Sequence, residues 1–296
     1  MSNKTALPTE KNAIVGGTLY LVSTPIGNLA DLSERAIKVL SEVDFVAAED
    51  TRNTGKLLAC LGISKPMVSY YEHNKRERGP KIVERLLAGE SCALCSDAGT
   101  PAISDPGEDL VRLCAENNVT ATAVPGCCAA ITALTLSGLS TTRFSFEGFL
   151  PVDKKPRRER LEQLTYCTST MILYEAPHKL RATLADLIKA LGEDRRVALC
   201  RELTKRNEEI YRTTLGEADK RYREEDPRGE YVLILEGGST EAPRAAEANE
   251  RLSLSPAEHV AYYESTGLGR MDAIKAAAKE RGIPKNELYR MLNAEK

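Results

Sequence analysis

"SCALCSDAGTPAISDPGEDLVRLCAENN", residues 91–118, decides the fold. Cys92-Ala93-Leu94-Cys95 is a short unbroken apolar run, the mark of a strand buried on both faces. Asp97-Ala98-Gly99-Thr100-Pro101 and then Asp105-Pro106-Gly107 set acid, glycine and proline side by side twice. From Gly107 onward the pattern is helical. A chain that spends a dozen residues on two stiff turns between a strand and a helix is shaping something at the strand's carboxyl end. Gly99 and Gly107 let backbone come close to a ligand, the prolines stiffen the approaches, and a helix beginning at Gly107 presents free N–H groups.

Outward from this unit, strand-length apolar runs alternate with helical periods. "TLYLVST" (18–24) precedes "LSERAIKVLSEV" (32–43), whose positions 32, 36, 37, 40 and 43 share one helix face. "DFVAAED" (44–50), a helix near 54–61, a strand at 67–71, a helix at "PKIVERLLAG" and a strand at 119–125 complete the first part. This alternation predicts a parallel sheet covered on both faces, with ligands received at the carboxyl ends of its strands. A helix at 127–139 and strands at 143–151, 170–176, 196–203, 209–215 and 230–237 follow, separated in part by helices at 178–191 and 217–225. They predict a second α/β domain with a mixed sheet. The expected division is a loose tail at 1–15, α/β domains at 16–126 and 127–238, a polar linker at 239–254, and a helical segment at 255–296. The last two of its three helices meet at Gly282-Ile283-Pro284 with helix-turn-helix proportions.

The 296 residues are 42% hydrophobic and 28% charged, with a net charge of −2. No apolar stretch is long enough to span a membrane, and the first fifteen residues do not read as a secretory signal. The near-neutral balance excludes indiscriminate nucleic-acid binding, so a polyanionic partner needs a local basic patch. Eight cysteines in a chain this size read as reduced core residues of a cytoplasmic protein. Cys92 and Cys95 face opposite sides of their strand, and no histidine pair stands at ligand spacing, so no metal is expected.

Four strands of the first sheet deliver Gly, Pro and acid to one edge: Thr24-Pro25-Ile26-Gly27, Glu49-Asp50-Thr51-Arg52, the 97–107 double turn, and Val124-Pro125-Gly126. None is a dinucleotide fingerprint or a P-loop. Asp97, at the carboxyl end of a central strand, is expected to accept from ribose hydroxyls or sit near a cation, whereas Asp105 either does the same or caps a turn.

In order along residues 17–237, "TLYLVSTPIGNLADLSERAIKVL", "AAEDTRNTGKLL", "CSDAGTPAISDPG", "VPGCCAAITAL", "FEGFLP", "YEAPHKL", "RELTK" and "GEYVLILEG" resemble the tetrapyrrole methylase superfamily of S-adenosylmethionine enzymes. Within it they look like a ribosomal RNA methyltransferase branch, and that resemblance implies methylation of the 2′-oxygen of a cytidine ribose in 16S rRNA of the small ribosomal subunit, near the decoding centre. It implies a cofactor cleft between two α/β domains and a homodimer. By that resemblance Ser96, Asp97, Ala98, Gly99, Thr100, Pro125, Gly126, Ala129, Gly229 and Glu230 wall the cofactor, with Thr24, Pro25 and Gly27 beside them. Cys127 stands where the family usually has proline, which loosens that turn.

Methyl transfer to a hydroxyl asks mainly for placement, plus a base for the proton. Glu49, Asp50, Glu175 and Glu202 are the candidate bases, Asp50 and Glu202 foremost, with Arg52 or Lys205 to steady the oxyanion. Glu202 and Lys205 share a face if "RELTK" turns helical; otherwise they form a salt bridge. His73 lies in a polar loop, His178 caps or packs at a helix start, and His259 reads as a surface residue. RNA contacts are expected on two exposed loops, Lys75, Arg76 and Arg78 with Lys81, and Lys154, Lys155, Arg157 and Arg158. The helices at 267–292 carry six basic and three acidic residues and are expected to touch ribosomal RNA or protein, or to cap the second domain. The competing functions are a small-molecule methylase of the same superfamily and a nucleotide-sensing DNA-binding regulator. The basic 153–160 stretch and the added helical tail disfavour the first, and the mildly basic last helix disfavours the second.

Overall fold

A computed structural model describes residues 12–238 and 251–294. Most of the expected linker and most of the expected tail lie outside the described residues. Residues 12–162 and 169–236 lie in one compact unit that holds both sheets; residues 163–168, 237–238 and 251–294 belong to a second unit.

The first sheet is parallel, built from β1 (Thr18–Val22), β2 (Phe45–Ala48), β3 (Met67–Ser69), β4 (Cys92–Cys95) and β5 (Thr120–Val124). Their order is β3-β2-β4-β1-β5, so the two most apolar strands run at or beside the centre. Side chains alternate between two cores. Leu19, Phe45, Ala47, Cys92 and Leu94 face one side, and Tyr20, Val22, Val46, Ala93 and Cys95 the other. Cys92 and Cys95 are free thiols on opposite faces, and burial pushes both thiols up, Cys95 to about 12. Helices α3 (Lys75–Leu87) and α4 (Gly107–Glu116) cover the first side, and α1 (Glu34–Glu42) and α2 (Thr51–Cys60) the second. Each buried leucine or valine on those helices contributes about 1.5–3 kcal/mol. Ser33 and Asp50 start α1 and α2 by accepting from Ala36 N and Arg52 N.

The second sheet is mixed, with order β6-β7-β10-β8-β9, formed by β6 (Phe144–Phe149), β7 (Thr170–Glu175), β8 (Arg196–Arg201), β9 (Glu209–Thr214) and β10 (Tyr231–Leu235). Only β6 and β7 run parallel. Helix α5 (Ala129–Leu136) packs Ala130, Ala133 and Leu134 on Ile172, Ala198, Cys200, Val232 and Ile234. Helices α6 (Lys154–Thr165), α7 (Leu180–Leu191) and α8 (Leu215–Glu224) complete the array.

Two stretches expected as loops are helical. Lys75, Arg76, Arg78 and Lys81 lie in α3, and Lys154, Lys155, Arg157 and Arg158 in α6. Their first turns are polar all round, so no apolar period announces them.

The C-terminal helices α9 (Pro256–Ser265), α10 (Arg270–Glu280) and α11 (Lys285–Ala294) enclose Val260, Ala273, Ile274, Ala277 and Leu288. A capping box between Ser255 and Glu258 opens α9. His259 is not a surface residue: it is fully buried. Its Nδ1 accepts from Arg281 Nε (3.0 Å), so the proton sits on Nε2, 2.8 Å from Glu280. Arg251 and Tyr263 also donate to Glu280. These donors, Arg251 first, hold its carboxyl down at about 2.

Candidate active site

Turns leaving β1, β4 and β5 are knitted together. Thr24 and Gly99 exchange both backbone hydrogen bonds, at 2.9 and 3.0 Å. Gly99 has φ +83, and a β-carbon there would stand 3.3 Å from Ile26 Cγ2, so glycine is required twice over. Thr100 Oγ1 donates to Cys127 O (2.9 Å) and lies 3.1 Å from Ser23 Oγ. At Gly126 a β-carbon would come within 2.8 Å of Ser23 Cβ. The turn that holds Cys127 in the usual place of proline is thus fixed from outside by Thr100.

Behind this knot opens a cavity of about 490 Å³, inside the 300–1,000 Å³ range of small-molecule sites. Asp97, Ala98, Gly99 and Thr100 line one side; Cys128 and Ala129 bring the start of α5; Lys205 and Glu230 come from the second sheet. Cys128 makes no side-chain cap at α5, while Ala130 N donates to Tyr174 Oη (3.2 Å). That helix start therefore opens on the cavity with a favourable end for a carboxylate.

The electrostatics are acidic. Glu49, at the end of β2, accepts from Asp97 N (3.2 Å), and Asn53 donates to Asp97 Oδ2 (3.2 Å). Burial, helped by the Asp97 and Asp50 charges, raises the Glu49 carboxyl above its ordinary range. Asp105 also lines the cavity. Burial first, then the Glu49 charge, pushes it up to about 6. Glu175 is buried and accepts from Thr183 Oγ1 (2.5 Å) and Ala176 N (2.9 Å). Beneath the acids, a recess of about 10 Å³ is bounded by Glu49, Ser96, Asp105 and Tyr70. It has the size of about one water, and the buried Tyr70 Oη lacks a hydrogen-bond partner there among the described residues. Among the described residues, no cluster of three or more His, Cys, Asp or Glu could hold a metal ion.

Several expected site residues stand elsewhere. Asp50 caps α2 and clasps Arg52 (2.7–3.2 Å); neither borders the cavity. The Arg52 hydrogen bonds hold the Asp50 carboxyl down at about 2, too low for a base at neutral pH. "RELTK" does not turn helical: Glu202 and Thr204 take φ +50 and +64, and Lys205 Nζ bridges Glu202 (2.9 Å) and Glu230 (2.8 Å). The Lys205 hydrogen bond lowers the Glu202 carboxyl. Glu202 also accepts from Glu230 N (3.1 Å), just past Gly229. Gly27 abuts the Lys205 stem. Thr24, Ser96 and Gly126 build the knot behind the wall rather than its face, and Pro25 and Pro125 do not border the cavity. Sequence reasoning left Asp105 undecided and passed over Ile26, Phe149, Tyr174 and Leu203, all on the cavity. "FEGFLP" and "YEAPHKL" already carried the two aromatics.

Of the basic residues, Lys154, Lys155 and Arg158 are exposed. Arg157 is tied to Asp186 (2.8 Å), Thr183 (2.9 Å) and Pro151 O (3.3 Å), so it anchors α6 instead of facing a ligand. Lys75 is held by Asp109 (2.6 Å) and Glu72 (2.8 Å). Lys81 pairs with Glu77 (2.7 Å), while Arg76 and Arg78 are exposed.

A parallel sheet whose strand-end turns wall a small-molecule cavity closed by a second, mixed sheet defines an α/β ligand-binding protein that works at its strand tips. The chain belongs to the family described as Tetrapyrrole (Corrin/Porphyrin) Methylases, whose family model matches residues 18–219. It is 47% identical to the ribosomal RNA small subunit methyltransferase I of Halalkalibacterium halodurans, over 94% of this chain and 96% of that one. The protein of the same name from Escherichia coli O157:H7 is 44% identical, over 93% and 94%. Among solved structures it resembles a cobalt precorrin-4 methyltransferase (TM-score 0.57, 18% identity, 74% of this chain and 95% of that one). It also resembles diphthine synthase (TM-score 0.57, 14% identity, 74% and 89%). At these identities the structures speak for the fold alone.

Proposed function

We propose that this protein is an S-adenosylmethionine-dependent methyltransferase that modifies the 2′-oxygen of a cytidine ribose in 16S rRNA of the small ribosomal subunit. In this reading it works in the cytoplasm, as a homodimer. The observation that carries the reading is the acidic, backbone-walled cavity at the strand tips of a chain that matches ribosomal RNA methyltransferases along nearly its whole length.

The residues present suit such a donor. Bound there, S-adenosylmethionine supplies an electrophilic methyl group on a sulfonium. Asp97 offers an acceptor for ribose hydroxyls, and the Ala98–Thr100 backbone lies close to the cavity because Gly99 has no side chain. The start of α5 suits an amino acid carboxylate. The carboxyls of Glu49, Asp97 and Asp105 give the hollow a negative field that favours a cation.

Asp105 is the fitting proton acceptor. It borders the cavity, and burial keeps it near 6, where a base is ionised at neutral pH yet still basic. The hydroxyl O–H bond would break toward Asp105 Oδ as the oxygen takes up methyl, and the methyl–sulfur bond would break to leave a neutral thioether. Lys205, bordering the same cavity, steadies negative charge on that oxygen. Glu175, fixed by Thr183, holds its place in the wall.

Two measurements test the reading. Calorimetry should detect S-adenosylmethionine binding. Tritiated methyl should enter unmodified 30S subunits and not tetrapyrrole precursors. Transfer into the precursors instead would replace the rRNA reading, and no cofactor binding would remove methyl transfer altogether.

A further inference from the structure

Three of the chain's four phenylalanines are exposed, and all three lie on β6: Phe144, Phe146 and Phe149. Phe149 is 57% exposed. Simple alternation would turn Phe146 and Phe149 to opposite faces. A bulge between Phe146 and Gly148 prevents that: Phe146 pairs with Ile172, Gly148 with Leu173 and Phe149 with Tyr174. Both rings consequently meet Tyr174 edge-on, at 5.1 and 5.7 Å between centroids. Such bulges re-aim side chains beside functional sites.

This aromatic face runs into the cavity, because Phe149 and Tyr174 also line it. The chain then passes directly into α6, whose Lys154, Lys155 and Arg158 are exposed. Aromatic rings beside a row of cations are what unpaired nucleic-acid strands bind: bases stack on the rings while phosphates meet the charges. A second copy of the chain is the other occupant to weigh, since β6 is an edge strand. A two-fold contact at this edge would gather both copies' basic turns together, which the charges oppose.

We infer that Phe146 and Phe149 form a stacking platform for unpaired RNA bases at the mouth of the cavity, with Lys154, Lys155 and Arg158 taking the neighbouring phosphates. The inference rests on the methyltransferase reading for its substrate, and it assigns the ring that holds the target nucleotide beside the donor.

The chain contains no tryptophan, so Phe149→Trp introduces a single reporter without losing the ring. Its emission should be quenched by a short unstructured pyrimidine RNA and much less by the same strand with its central bases removed. Phe146→Ala, at a residue outside the cavity lining, should weaken that RNA and raise KM for unmodified 30S subunits by roughly 5- to 100-fold, the worth of one stacked base. Its affinity for S-adenosylmethionine should stay at the wild-type value. Unchanged RNA affinity and KM in Phe146→Ala would overturn the platform. So would equal quenching by the abasic strand, a loss of cofactor affinity, or a smaller sedimenting species, which would make the face a contact between copies. Quenching by RNA in a protein that transfers no methyl to 30S subunits would uphold the platform and refute the rRNA methylation reading.

Discussion

Replacing Asp105 by asparagine separates catalysis from stability in opposite directions. As the proton acceptor, Asp105 must be ionised, and its pKa near 6 places the rising limb of the pH–rate profile there. At pH 5 only about one carboxyl in eleven would be ionised, so the wild-type rate should be about a tenth of its plateau. Asp105→Asn should lower kcat by roughly 10²–10⁴-fold and weaken cofactor binding far less, by the share of the cavity's negative field that this carboxylate supplies. The folded pKa lies above the ordinary 3.8, so ionisation opposes folding. This group's contribution is most favourable below pH 3.8 and worsens as pH rises toward 6. A shift of two units corresponds to about 3 kcal/mol at full strength. Solvent reaching the half-buried carboxyl leaves about 1 kcal/mol, which Asp105→Asn should return as a raised unfolding midpoint at pH 7.5. The assay is single-turnover transfer to 30S subunits between pH 5 and 8, beside thermal unfolding of both proteins. Glu49→Gln should move the limb to lower pH, because the Glu49 charge is among the causes of the raised value. A flat profile, or an Asp105→Asn protein that keeps half its rate, would refute the role.

Other perturbations bear on separate parts of the molecule. Gly99→Ala forces a β-carbon into a left-handed backbone against Ile26, a strain of about 1–2 kcal/mol; calorimetry should show S-adenosylmethionine binding weakened roughly tenfold. Changing Lys154, Lys155 and Arg158 together to alanine should weaken 30S binding and flatten its logarithmic salt dependence by about two to three units, at unchanged cofactor affinity. Arg157→Ala should instead lower the unfolding midpoint, because it frees Asp186 and the buried Thr183. Glu280 has a carboxyl depressed from 4.5 to about 2, so its stabilisation is present above pH 4.5 and lost as pH falls toward 2. Protection of α9–α11 amides, taken relative to their intrinsic exchange rates, should fall across that window, and Glu280→Gln should abolish the dependence.

The order of strands and helices was legible because the buried strands are continuous apolar runs and their helices are amphipathic. The gathering of Thr24, Gly99 and Gly126 was legible too, since a parallel sheet sends all its strand ends to one edge. What stayed hidden depends on partners distant in sequence or on local geometry without a compositional mark. Asp50 reads as an acid at a strand tip until Arg52 is seen to clasp it. Asp105 looks like a turn residue until burial and Glu49 raise its pKa. His259 looks exposed because Glu280, its hydrogen-bond partner, comes 21 residues later. The helix α6 is polar nearly all round, so its period leaves no trace. The shared face of Phe146 and Phe149 follows from a bulge that alternation does not foresee.

In the order β3-β2-β4-β1-β5 every strand points the same way, so the turns that do chemistry all emerge on one rim while the load is carried between two layers of helices. Insertions on that rim beyond the Thr24–Gly99–Gly126 knot fall outside the layers and leave the folding energy of the frame nearly untouched. An acceptor of new shape can be admitted by editing the exposed turns around the knot, and the knot that walls the donor's place need not be rebuilt.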